Sequence, residues 1–146
     1  MRNLFRIALF AAAVLTLPLH AEKKVIVPAE FAGSTAPFSP GILADGTLYV
    51  AGQIGQDLKT TQVPDDFEAE VRICLERVGI ILKAAGMTFD DAVSVNVYLT
   101  DIDLFARMNA VYTTFFKVPR PARTTVGVTK LANAKARIEI TVTARK

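Results

Sequence analysis

The sequence predicts an α/β protein of the α+β two-layer kind, a mixed six-stranded sheet with two helices on one face. Segments of period-two alternation and segments of 3.6-residue periodicity follow one another in the order β-ββ-α-β-α-ββ. At 146 residues, 51% of them hydrophobic and 21% charged, the chain suits one globular domain with a real core. Right-handed crossovers then put both helices on the same side of the sheet. The other face stays uncovered and moderately polar, so assembly through that face is expected.

The first 21 residues are set apart from this fold. Met1-Arg2-Asn3-Leu4-Phe5-Arg6 is a short basic start, followed by an unbroken apolar run from Ile7 to Leu15 and then Leu17-Pro18-Leu19-His20-Ala21. That is the layout of a secretory signal peptide, too short for a comfortable membrane span. Cleavage after Ala21 is expected, although Leu19 is bulkier than the small residue such sites favour; an uncleaved anchor is the alternative. The expected domains are a signal peptide over 1–21 and one folded unit over 22–146. The destination is the periplasm or the outside, with no stable membrane association after cleavage.

Within the folded unit, residues 23–27 (Lys-Lys-Val-Ile-Val) read as a short strand, and Pro28 and Gly33 mark the loop after it. Residues 41–44 and 47–51 flank Asp45-Gly46, a pair that tolerates positive φ and so marks a tight hairpin. Residues 65–85 carry Phe67, Val71, Cys74, Leu75, Val78, Ile81 and Leu82 on one helical stripe. Asp65 with Glu68 provides a capping-box-like start, and Gly86 a left-handed stop. Cys74 falls on the buried stripe and reads as an apolar filler rather than a nucleophile.

Residues 92–99 alternate strictly, valines and Leu99 against Ser94, Asn96 and Tyr98. Residues 100–117 return to helical period through Leu104, Phe105, Met108, Val111, Tyr112, Phe115 and Phe116, an aromatic stripe that reads as core. Two final strands are expected at 124–128 and 136–144. In the second, Arg137, Glu139, Thr141 and Thr143 oppose Ile138, Ile140, Val142 and Ala144.

Charge and residue types exclude several mechanisms. The formal charge of +3 drops to about +1 when Arg2 and Arg6 leave with the signal. A nearly neutral domain without a basic stripe argues against nucleic acid as a main partner. His20 also leaves, so the remaining chain has no histidine and one cysteine, Cys74. Ser-His-Asp and Cys-His catalysis, a zinc site and an intrachain disulfide are thereby removed. Chemistry must run on Arg, Glu, hydroxyls and backbone.

Several segments resemble the RidA/YjgF family: Ala36-Pro37-Phe38-Ser39, Tyr49-Val50-Ala51-Gly52-Gln53-Ile54, Phe105 through Tyr112 with Asn109, Pro121-Ala122-Arg123-Thr124, and Arg137-Ile138-Glu139-Ile140. Each is weak alone; their order and spacing cover nearly the whole mature chain. The resemblance implies a chorismate-mutase-like sandwich, a homotrimer, active sites in clefts between subunits, and a cofactor-free, metal-free enzyme that hydrolyses 2-enamino and 2-imino acids to 2-keto acids and ammonia. In it, Arg123 grips the substrate carboxylate and Glu139 positions or activates the attacking water. Thr125 stands where the main chain bonds the substrate nitrogen, and Phe38, Gly52 and Asn109 line the pocket.

An arginine suits that role because its planar fork makes two parallel charge-assisted bonds to a carboxylate. The plainer readings are a surface ion pair for Arg123 and a cross-strand salt bridge for Glu139. Two departures from the family pattern, Phe38 for a frequent Tyr and Ala51 for a frequent Ser, each remove a hydroxyl. They keep open a non-catalytic trimer that binds small carboxylates in the same cleft. Ribonuclease activity fits poorly with the charge, and a chaperone role rests on nothing but an apolar surface.

Overall fold

The computed structural model describes residues 22–146; the expected signal peptide over 1–21 lies outside the described residues. Among the described residues, strands β1 (Lys23–Ile26), β2 (Gly41–Ala44), β3 (Thr47–Ile54), β4 (Ala92–Leu99), β5 (Ala122–Gly127) and β6 (Ile138–Arg145) form one sheet. Helices α1 (Phe67–Ala84) and α2 (Phe105–Phe115) pack side by side over one face, as the crossovers require.

The strand order is β1-β2-β3-β6-β4-β5. The last strand inserts between β3 and β4, antiparallel to both, while β4 and β5 run parallel with α2 as their crossover. Asp45 (φ 47°) and Gly46 (φ 73°) take the left-handed conformations that the hairpin turn demands. Gly86 (φ 72°) ends α1, the predicted left-handed stop.

The period-two pattern decides which side chains enter the core. Leu48, Val50, Val95, Val97, Leu99, Ile138, Ile140, Val142 and Ala144 face the helices and are buried. From above come Phe67, Val71, Cys74, Leu75, Val78, Ile81 and Leu82 of α1 with Met108, Val111 and Tyr112 of α2. Tyr112 stacks on Phe116 at 4.3 Å between ring centroids, and Phe89 meets Phe116 edge-on at 5.0 Å. Met108, Val111, Tyr112 and Phe116 are core, as the spacing predicts, whereas Phe115 only packs against it and Phe105, at the start of the helix, is 39% exposed. The opposite sheet face carries Tyr49, Asn96, Tyr98, Thr141, Thr143 and Val126; Tyr49 is 55% exposed and Val126 40%.

Several boundaries differ from the sequence expectation. Asp66, not Asp65, caps α1, its side chain accepting from the Ala69 amide at 2.8 Å. The fully buried Phe67 begins the helix, which leaves Asp65 one residue too early to reach the third turn amide. Glu68 instead reaches across to α2 and accepts from Arg107 Nε at 2.6 Å, which depresses its carboxyl pKa to about 2. Residues 102–104 form a separate single turn, where the Asp101 side chain accepts from the Asp103 amide, so α2 starts at Phe105. β5 starts two residues early, which places Arg123 inside the strand, and β6 starts two late.

The late start of β6 has a definite cause. Arg137 leaves the strand pattern to pair with the fully buried Glu70 of α1, Nε to Oε2 at 2.6 Å. Glu70 Oε1 also accepts from the Arg137 amide at 2.6 Å and the Ile138 amide at 3.3 Å. A second Arg137 nitrogen donates to the Pro64 carbonyl at 2.8 Å. The helix thus supplies acceptors to the first backbone amides of β6, satisfying a buried carboxylate in the process.

Candidate active site

Arg123 sits on edge strand β5 and pairs in register with Val95, so its side chain leaves the sheet on the helical side. There its guanidinium lies over the Tyr112 ring at 4.5 Å and the Phe105 ring at 5.5 Å. No carboxylate among the described residues reaches it, so the surface ion pair that was its plainer reading is not formed. Aromatic faces therefore hold the cation in orientation while leaving its hydrogen-bond donors free. It lines a cavity of about 390 Å³ with Asn109, Tyr112, Thr113, Arg120 and Pro121.

Tyr112 is 2% exposed, yet its hydroxyl has no hydrogen-bond partner. Burial raises its pKa and the Arg123 charge opposes that rise. Thr125, two residues beyond Arg123 on the same side of β5, also has a buried hydroxyl without a partner. Buried polar atoms left unpaired in this way cost stability.

Glu139 lies elsewhere. It pairs in register with Tyr98 and Ile54 on the open sheet face. It lines a second cavity of about 390 Å³ with Phe38, Gly52, Gln53, Gln56, Arg77 and Asn133 among others. Among the described residues it makes no ion pair, so the salt bridge offered as its plainer reading is not formed. Burial pushes its carboxyl pKa above the ordinary 4.5, with no opposing charge. A carboxylate so placed is a stronger base than one in water.

The shape of that second cavity comes from a bulge in β3 between Val50 and Gln53. The bulge carries Gly52 up against Glu139: a Cβ on Gly52 would stand 1.9 Å from Oε1. Helix α1 holds the bulge from behind. Cys74 Sγ donates to the Gln53 carbonyl at 3.0 Å, Arg77 Nε donates to Gln53 Oε1 at 3.1 Å, and Arg77 Nη1 donates to the Gln56 carbonyl at 2.9 Å. Gln53 Nε2 closes the set by donating to the Ala51 carbonyl at 3.0 Å. Arg77 also covers the Phe31 ring at 5.1 Å. Cys74 is buried, its thiol pKa raised by burial, which agrees with an unreactive sulfur; its bond to the bulge is an addition to the filler reading.

The residues singled out in the sequence thus fall into two groups. Asn109 and Arg123 line one cavity with Thr125 close by along the strand, while Phe38, Gly52 and Glu139 line the other. Within one chain the groups lie on opposite faces of the sheet. Phe38 is 60% exposed among the described residues. Sequence reasoning missed Gln53, Arg77, Tyr112 and Arg120. For Gln53 the signal was the Gly-Gln pair; for Tyr112, the helical phase that brings it beneath β5.

Fold and cavities together define a two-layer sandwich with a cationic recess at one sheet edge. The family described as endoribonuclease L-PSP matches residues 29–146. The chain belongs to this family, the one whose motifs it resembles under the name RidA/YjgF. It is 39% identical over 119 residues to the human 2-iminobutanoate/2-iminopropanoate deaminase, covering 81% of this chain and 86% of that one. A RutC family protein of Pyrococcus horikoshii is 40% identical over 110 residues, 75% of this chain and 87% of the other. Among solved structures, YyfA of Yersinia pestis, a member of the conserved Rid protein family, superposes with a TM-score of 0.80 at 33% identity, covering 86% of this chain and 100% of that one.

Proposed function

We propose that this protein hydrolyses reactive 2-imino and 2-enamino acids to 2-keto acids and ammonia, in clefts formed between copies of the chain in a homotrimer. The observation that carries this reading is Arg123, an unneutralised guanidinium held flat over aromatic rings at an open cavity. Such a fork takes a carboxylate in two parallel bonds and fixes the adjoining carbon. The human relative named for this activity supports the same assignment.

After the enamine tautomerises to its imine, Arg123 holds the carboxylate and Glu139 orients a water. The water oxygen bonds to the imine carbon, the C=N π pair moves to nitrogen, and Glu139 takes the proton. That proton passes to the nitrogen, the C–N bond breaks, and the carbinol O–H gives up its proton to leave the keto acid and ammonia. Because Arg123 and Glu139 lie on opposite faces of one sheet, the reaction needs Glu139 from a second copy. The open face with Tyr49 and Val126 is the surface that assembly would cover. β5 is an edge strand, so its outward backbone groups, Thr125 among them, are available to a substrate nitrogen.

The missing hydroxyls at Phe38 and Ala51 favour a second reading, a trimer that binds small carboxylates without turnover. Keto-acid and ammonia release from 2-iminopropanoate separates the two, with wild type compared to Arg123→Ala at equal folding and assembly. Turnover that vanishes in the variant supports the enzyme; binding of propionate without turnover supports the carrier. We also propose export, on the basic start and apolar run of residues 1–21, checked by the N-terminal sequence of protein recovered outside the cytoplasm.

A further inference from the structure

The cavity that holds Arg123 contains a second arginine whose role the imine chemistry leaves unassigned. Arg120 lies between Pro119 and Pro121, which restrict its backbone to extended conformations and bring it to the mouth of the same recess. Its Nε donates to the Phe116 carbonyl at 3.3 Å, at the end of α2. Its two terminal nitrogens make no hydrogen bond among the described residues, and no carboxylate lines the cavity. Two guanidiniums in about 390 Å³ without a counter-charge repel one another, and a ligand that brings two negative charges removes that cost.

Tyr112 lines the same recess, and its buried hydroxyl accepts no hydrogen bond from Arg120. A single substrate carboxylate is fully served by the fork of Arg123. Capping of α2 accounts for the Nε of Arg120 but not for the rest of its fork. We infer that the site prefers 2-imino acids carrying a second carboxylate, with Arg123 on the carboxylate beside the imine and Arg120 on the distal one. This rests on the imine-hydrolase reading above and makes Arg120 a specificity residue for it.

The test compares kcat/KM for 2-iminosuccinate and 2-iminoglutarate with that for 2-iminopropanoate, using the full chain and its Arg120→Gln and Arg120→Lys variants. Calorimetry with the unreactive acids succinate, glutarate and propionate runs beside it. Loss of a charged contact to the distal group predicts that Arg120→Gln lowers the dicarboxylic-to-monocarboxylic ratio about 10- to 100-fold. Arg120→Lys recovers part of it. A ratio unchanged in Arg120→Gln overturns the inference, as does a drop that tracks loss of assembly in sedimentation, since Arg120 then belongs to a subunit contact. If no imino acid is turned over while succinate or glutarate still binds through Arg120, the hydrolase reading fails and the dicarboxylate site stands. Absence of both turnover and binding removes both.

Discussion

At the scale of single residues, what distinguishes Arg123 from an ordinary surface arginine is the company it keeps. Tyr112 and Phe105 hold it through their ring faces, and no acid among the described residues competes for its donors. A lysine at 123 keeps the charge but loses both the fork and the stacking geometry. Arg123→Lys is therefore expected to lower kcat/KM for imino acids about 10- to 100-fold, read from keto-acid release at matched folding. In the proposed mechanism Glu139 governs the pH profile. Burial penalises its charged form, so in the fold it ionises above the ordinary 4.5, and the base form that accepts a proton accumulates only above that raised value. The acid limb of kcat/KM should accordingly lie above the ordinary glutamate value and disappear in Glu139→Gln. The linkage has a definite sign. A raised carboxyl pKa stabilises the fold at low pH and loses that contribution as pH rises through the folded value, so Glu139→Gln should unfold at the same temperature as wild type or higher at pH 7. Gly52→Ala attacks the same group by sterics: a Cβ 1.9 Å from Oε1 must push the carboxylate aside. We expect a loss of turnover approaching that of Glu139→Gln, with the far-ultraviolet circular dichroism retained.

At the scale of elements, α1 does more than cover the sheet. Through Cys74 and Arg77 it holds the β3 bulge, and through Glu70 it receives the first amides of β6, the two strands that bring Gly52 and Glu139 together. Removing the Glu70 carboxylate leaves Arg137 and two backbone amides without their partner. Glu70→Ala should cost about 3 kcal/mol by urea denaturation, below the full value of a wholly buried pair because Arg137 is part-exposed. This network explains where sequence reading succeeded and where it stopped. Alternation in 92–99 made the bounds of β4 legible, and Asp45-Gly46 placed the hairpin, because period and turn chemistry are local. Val93, however, is 49% exposed at an irregularity between Ala92 and Ser94 rather than facing the core with Val95 and Val97. Arg137 looked like one more outward residue of β6, since nothing local announces a partner 67 positions earlier. The cap moved from Asp65 to Asp66 for a similar reason: tertiary burial of Phe67 set the start of α1. Insertion of β6 between β3 and β4 is likewise a non-local pairing. Arg123 and Glu139 were legible as residue types in motifs, whereas the opposite faces they occupy depended on strand register.

At the scale of the whole molecule, Arg123 and Glu139 line separate cavities on opposite faces of the sheet, and the proposed reaction needs them together. The helix side of β5 holds Arg123, the proposed carboxylate clamp, and the open side of β6 holds Glu139, the proposed base. An uncovered sheet face with an exposed Tyr49, and an edge strand with free backbone groups, make association of copies the economical completion of both. Mixed assembly tests this most directly. Arg123→Ala and Glu139→Gln proteins, each expected to retain only residual turnover alone, are unfolded together in equal amounts, refolded, and checked by sedimentation for the same assembly as wild type. If each cleft draws its arginine from one copy and its glutamate from another, random mixing restores about one quarter of wild-type imino-acid turnover, because that share of clefts receives both intact residues. If turnover stays at the level of the separate variants while the mixed assemblies form normally, the two residues do not act together across copies and the account is contradicted.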